Sequence, residues 1–211
     1  MAKYMAIDCE MVETFWIKNA LARVSIVDEN SRVVLDEYVI PPGGCIIDYR
    51  TRWSGITKEL IGNKGKEMSE VQSQVREILK DAVIIGHTVN TDLKSLMRCP
   101  CKAIVDISEL PQLKLRFWRT ANPEDPDSDE ELIKRQRISL KRLSTALLDR
   151  QIQTGNKGHS SVEDATATMD LFRLIQKEWE LKNPDLAGED LFDDKFWEDE
   201  ESLSEWSEEE D

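Results

Sequence analysis

Three apolar runs occupy most of the first forty residues, at 4–8, 21–27 and 33–40, and polar connections such as Asp28-Glu29-Asn30 separate them. Each run has the length of a strand, so three sequential strands are expected. Further on the periodicity changes. Val71, Val75, Ile78 and Leu79 recur at helical spacing behind Ser69, which predicts a helix from Ser69 to about Lys80 with Ser69 as its N-cap. Residues 82–86 form a short apolar run, 88–97 read as helix, 103–105 as another short strand and 110–117 as helix. Two amphipathic helices follow, 139–148 with Leu140, Leu143 and Leu147 on one side, and 161–179 with Val162, Ala165, Met169, Phe172 and Trp179 on one side. The expected class is α/β, a mixed five-stranded sheet flanked by helices.

With 211 residues and 40% hydrophobic content, one packed domain is expected, at residues 1–182, because two would crowd the chain. The net charge of −14 is unevenly spread. Residues 181–211 hold fourteen acids against Lys182 and Lys195, so the body before them is close to neutral and can carry basic stripes. Residues 183–211 are expected to be an acidic, disordered tail, most simply a solubilising extension, with a protein-binding arm or a competitor for a basic groove as alternatives. Residues 41–44 and 48–55 read as exposed loops, and residues 122–131, with six acids and two prolines, as a solvated surface loop. Four cysteines are too few for a disulfide scaffold, and Cys99-Pro-Cys101 is one residue short of the usual metal or redox pair. The start of the chain lacks a basic segment with an apolar core, and no stretch nears the roughly 20 apolar residues of a membrane span. An intracellular protein of nucleus or cytoplasm, without contact with a membrane, is expected.

Carboxylates interrupt this apolar pattern where chemistry could use them. Asp8 and Glu10 lie two apart at the end of the first strand, so both point to one face. Asp92 follows the strand that ends at Gly86-His87, and Asp164 falls in the first turn of the last long helix, five residues after His159. Any one of forty-two acids is most simply a solvated surface group, and an acid in a first helical turn also complements the helix dipole. Four of them at strand ends and a helix start suit two hard divalent cations about 3.5–4 Å apart around a scissile phosphate. An imidazole, with an ordinary pKa of about 6.5, suits the proton of the attacking water, and His159 is the candidate base.

The segments Ala6-Ile-Asp-Cys-Glu-Met-Val12, Gly86-His-Thr-Val-Asn-Thr-Asp92 and Gly158-His-Ser-Ser-Val-Glu-Asp164 resemble, in order and spacing, the three exonuclease motifs of the DEDDh superfamily. Within it, Asp48-Tyr-Arg-Thr-Arg52 with Ser54-Gly-Ile-Thr57 looks like the branch of the interferon-stimulated gene exonuclease and the rRNA-processing RNA exonucleases. The resemblance spans roughly residues 4–178. It implies a ribonuclease-H-like fold, two Mg²⁺ or Mn²⁺ ions, and release of nucleoside 5′-monophosphates from the free 3′ end of single-stranded RNA or DNA, RNA preferred. It carries the metal-ligand role onto Asp8, Glu10, Asp92 and Asp164 and the general-base role onto His159. It also implies that Met11 and the stretch containing Arg50, Arg52, Trp53, Ser54 and Thr57 hold the terminal nucleotide. Glu13 stands where these relatives usually have glycine, Leu93 where many superfamily members have phenylalanine, and residues 122–131 look inserted. These departures bear on substrate preference more than on chemistry. A DNA-directed exonuclease or a binding module without turnover are the rival readings.

Arg50, Arg52 and Trp53 would offer phosphate contacts and a stacking face, the combination used on single strands. His87 is a candidate substrate contact, although a histidine at a strand end is more commonly a structural hydrogen-bonder. Lys134, Arg135, Arg137, Lys141 and Arg142 form a basic cluster that either tracks a nucleic-acid backbone or offsets the neighbouring acids.

Overall fold

The computed structural model describes residues 3–97, 99–125, 130–155 and 158–187. Its strands are β1 (Lys3–Thr14), β2 (Ala20–Asp28), β3 (Val33–Tyr38), β4 (Ile46–Asp48), β5 (Ala82–Gly86) and β6 (Ala103–Asp106). Its helices are α1 (Thr51–Ser54), α2 (Lys58–Lys64), α3 (Met68–Leu79), α4 (Asn90–Ser95), α5 (Pro111–Ala121), α6 (Glu130–Lys134), α7 (Leu140–Leu148) and α8 (Ser161–Lys182). Most of the tail expected at 183–211 lies outside the described residues; its first part, Pro184–Ala187, makes a 3₁₀ turn, and Leu186 packs against the core.

The first three strands form an antiparallel meander, and β5 and β6 join β1 in parallel, giving the order β3-β2-β1-β5-β6. These are the five expected strands. A sixth, β4, pairs with the far end of β1 through Glu13–Asp48 and Thr14–Ile46, and its three residues are too few to show alternation in the sequence. Because side chains alternate along a strand, β1 feeds two cores. Tyr4 and Ala6 pack with Phe117 of α5, Leu143 of α7 and Phe172 of α8, whereas Met5 and Ile7 pack with Val71 and Val75 of α3 and Leu93 of α4. All five residues of β5 are buried, as a strand covered on both faces requires. Met169, Phe172 and Trp179 are core, as their spacing suggested, and the Tyr4 ring meets Phe172 tilted at 5.4 Å and Trp179 edge-on at 6.4 Å. Positions 8 and 10 continue the row of Tyr4 and Ala6, so the strand itself aims Asp8 and Glu10 toward the face that α8 covers.

Several boundaries differ from expectation for local reasons. Ser69 lies inside α3, because Glu67, in extended conformation, takes the cap position without a side-chain bond. The helix expected over 88–97 shortens to Asn90–Ser95 because Thr88 (φ 61°) and Met97 (φ 50°) adopt left-handed backbone. The segment 48–55 is not simply a loop: Asp48 ends β4, Arg50 turns left-handed (φ 49°) and α1 follows. Its Ser54 is buried, donating to the Tyr49 carbonyl and accepting from the Ile56 N–H. Within 122–131, α6 begins at Glu130, while residues 126–129 lie outside the described residues. Among the described residues no helix is long and apolar enough to cross a membrane.

Candidate active site

Asp8 and Glu10 on β1, Asp92 on α4 and Asp164 in the first turn of α8 come to one place at the C-terminal end of the parallel pair β1–β5. Glu10, Asp92 and Asp164 are buried, and Asp8, though it keeps some solvent contact, is walled by protein. Their electrostatics show how near they are. Burial raises the Asp8 carboxyl well above the usual range, and the charges of Asp92, Asp164 and Glu10 raise it further. Burial and the Asp164 charge push Glu10 to about 8, against the pull of Arg23, which faces it across the β1–β2 ladder. Burial pushes Asp92 to about 7, although the Cys9 N–H donates to its Oδ1 at 3.0 Å. Asp164 is raised by burial as well, opposed by a hydrogen bond from Gln153 Nε2 at 2.9 Å and by His159. Burial in a place of low dielectric comes first in all four directions, and like charges nearby add to it.

Two oxygens in this pocket, Glu10 Oε1 and Asp164 Oδ1, are buried without a hydrogen-bond partner. An orphaned carboxylate oxygen is costly unless something positive satisfies it. Among the described residues no group of three or more His, Cys, Asp or Glu stands in an arrangement that could hold a metal ion as it is. The donors are nevertheless of the hard oxygen kind that Mg²⁺ or Mn²⁺ prefers, and two of them lack any other partner, so the residues fit such ions.

His159 stands at the rim, its Nδ1 3.9 Å from Asp164 Oδ2 and its side chain 39% exposed. It is held by its backbone, whose N–H donates to the Trp53 carbonyl of α1. Gly158 (φ 84°) makes this contact sterically allowed, since a Cβ there would sit 2.2 Å from Gly55 N and 2.7 Å from the Thr51 carbonyl. Gly158→Ala should therefore push the His159 segment off α1. We expect a fall in melting temperature of roughly 4–8 °C, from about 2 kcal/mol of strain, and a clear drop in turnover, read by thermal melting and steady-state rates. Wild-type values in both would mean that the two segments are not latched.

The remaining expected substrate residues surround this rim in differing ways. Met11 follows Glu10 at a bulge in the β1–β2 register and is half-buried. Trp53 is 59% exposed, with the Arg52 guanidinium 5.7 Å from its ring. Arg50 is committed to the β1–β2 hairpin: it donates to the Lys18 carbonyl, to Asn19 Oδ1 and to Glu13 Oε2, at 2.7, 2.9 and 3.0 Å. Ser54 and Thr57 use their hydroxyls locally, Thr57 as the N-cap of α2. His87 Nε2 bonds the Ile138 carbonyl at 2.9 Å, the structural role.

Four supporting residues escaped the sequence reading. Arg23, fixed by paired bonds to Asp36, puts a cation opposite Glu10. Gln153, in left-handed conformation, binds Glu163 through its backbone and Asp164 through its amide. Asp106 accepts from the N–H groups of Thr88, Val89 and Ser108 and so clamps the turn leading to Asp92. Ser25 meets Ser161 at 2.7 Å in the core, tying β2 to the start of α8. Only Asp106, a lone acid ending an apolar run, left a sequence signal.

Glu10→Gln offers a check on the crowding. A carboxyl whose pKa rises on folding costs nothing below the unfolded value near 4.5 and destabilises increasingly up to about 8. The metal-free amide variant should therefore melt several degrees above wild type at pH 8, on the order of 2 kcal/mol, and no higher at pH 4. Equal melting curves at both pH values would contradict the geometry.

Residues 5–172 match the RNase_T exonuclease family model. The chain is 44% identical to interferon-stimulated 20 kDa exonuclease-like 2 of Mus musculus over 182 residues, covering 84% of this chain and 45% of that protein. It is 41% identical to RNA exonuclease 4 of Cryptococcus neoformans, over 84% of this chain and 40% of that protein. The chain thus spans about half the length, or less, of these curated relatives. Among solved structures, the Saccharomyces cerevisiae Pan2 pseudoubiquitin hydrolase-RNA exonuclease module in complex with AAUUAA RNA superposes with a TM-score of 0.62 at 25% identity, over 89% of this chain and 31% of that one. A mixed sheet with flanking helices, the ribonuclease-H-like arrangement of that neighbour, and a family match across most of the domain place this chain in the RNase_T exonuclease family, among its DEDDh-type members.

Proposed function

We propose that this chain is a divalent-metal-dependent 3′-to-5′ exonuclease that removes nucleoside 5′-monophosphates from single-stranded RNA in preference to DNA. The observation that carries the reading is the meeting of Asp8, Glu10, Asp92 and Asp164 in one pocket with His159 at its rim. The preference for RNA is supported by the relative named RNA exonuclease 4 and by the RNA-bound Pan2 neighbour. Two Mg²⁺ or Mn²⁺ ions held by these acids would supply the positive charge that offsets the carboxylates and the scissile phosphate and makes water a better nucleophile. His159 accepts the proton of the attacking water, its ring kept near Asp164 by the Gly158–Gly55 contact. Trp53 offers the terminal base a face to stack on, and Arg52 beside it offers the phosphate a charge. Met11, next to Glu10 on β1, would hold the terminal nucleotide. Arg50 orients the hairpin against α1 through its present bonds. We place the activity in the nucleus or cytoplasm, since four cysteines do not make the scaffold of a secreted domain.

The test is degradation of matched 5′-labelled RNA and DNA oligonucleotides with Mg²⁺ or Mn²⁺ and with EDTA. A ladder shortening from the 3′ end of RNA, faster than DNA and abolished by EDTA, is expected. Faster trimming of DNA would make the enzyme DNA-directed, and no product with either ion would leave a binding module.

A further inference from the structure

The tip of the β1–β2 hairpin displays two large aromatic rings that nothing in the catalytic reading uses. Phe15 is 65% exposed and Trp16 77%, and their rings meet edge to face with centroids 4.7 Å apart. Exposing two such rings on one turn forfeits hydrophobic stabilisation, and adjacent exposed aromatics mark a binding surface. The turn is built to be rigid. Thr14 N–H donates to the Ile17 carbonyl, Phe15 N–H to the Cys45 carbonyl and Trp16 N–H to the Gly43 carbonyl, at 2.9, 3.0 and 3.2 Å. Gly43, at φ 89°, lies so close that a Cβ would come within 2.6 Å of Thr14 Oγ1. The rings are thus presented on a fixed backbone and not on a floppy loop.

This tip is continuous with the active site. It is the direct extension of the strand that carries Asp8 and Glu10, and Phe15 lies five residues beyond Glu10, about 16 Å along an extended chain. Arg50 ties the other side of the tip, through Lys18 and Asn19, to the start of α1, whose Trp53 carbonyl holds His159. At the rise of about 3.4 Å per phosphate that one strand has within a duplex, roughly five nucleotides would cover the span. Lys18, exposed on the same turn, adds a positive charge for the backbone. Resting on the exonuclease reading above, we propose that Phe15 and Trp16 form a stacking platform for bases about four to six nucleotides upstream of the 3′ end, which makes longer single-stranded RNA the preferred substrate.

The experiment compares wild type with the double variant Phe15→Ala/Trp16→Ala on single-stranded RNA of 3 and 10 nucleotides. The variant should raise KM for the 10-mer about tenfold or more, the usual worth of lost base stacking, with kcat unchanged and the 3-mer unaffected. The variant Phe15→Tyr/Trp16→Tyr should restore KM. An equal change at both lengths, or none at either, overturns the proposal, and the second result would leave the rings to a protein partner. Independently of turnover, quenching of tryptophan fluorescence by the 10-mer in EDTA should be strong in wild type and reduced in the alanine variant. Were the wild type to trim no nucleic acid, the exonuclease reading would fall, and this quenching would still decide the platform: the difference supports it, and equal quenching overturns it.

Discussion

Asp164→Ala should bring metal-dependent trimming of a labelled RNA down by more than about 10³-fold, beyond the loss of a single stabilising donor in other enzymes, while the protein still folds. Asp8→Ala and Asp92→Asn should do the same. Burial already disfavours the charge of all three side chains, which offsets the loss of the bonds that Asp92 accepts from the Cys9 N–H and Asp164 from Gln153. Removing one carboxylate relieves crowding, and the metal-free variants should melt at or above the wild-type temperature. That pairing of outcomes separates loss of a ligand from loss of the fold. Full activity in any of the three, measured by single-turnover rates at saturating Mg²⁺, would remove that residue from the site.

His159→Ala should slow the chemical step by about 10²- to 10⁴-fold, the usual range for a general base. Metal affinity should hardly move, because the imidazole stands at the rim, 3.9 Å from the nearest oxygen of Asp164, and its segment is anchored by the backbone. Isothermal titration with Mn²⁺ reads affinity and rapid quench reads chemistry. A rate within a few-fold of the parent would assign the proton to another acceptor, and a large loss of Mn²⁺ affinity would make His159 a ligand.

The candidate acids stood out because Asp8 and Glu10 interrupt an apolar strand, Asp92 follows one and Asp164 opens a long amphipathic helix, and a strand alternates strictly enough to put Asp8 and Glu10 on one face. The long helices were legible for the same reason, as amphipathic periods over many residues. What stayed hidden was tertiary. Arg23 faces Glu10 only through the β1–β2 register, and Gln153 reaches Asp164 from a turn that no local pattern announces. Helix α4 is shorter than its composition suggests because two non-glycine residues flanking it turn left-handed, a choice enforced by the Asp106 clamp on one side. Helices α1 and α2 are one to two turns long, below the length at which periodicity can speak, and docking decides them. The exposed aromatic tip lay between two strands and read only as a connection.

Helix α8 opens with Asp164 and closes its packed stretch with Trp179, so a single 22-residue rod, about 33 Å long, belongs at once to the reactive pocket and to the largest apolar cluster. The acid can leave its position only if the rod leaves the sheet. Heat or denaturant should accordingly dismantle the pocket and the fold in one cooperative event, with no intermediate that is folded yet lacks the pocket.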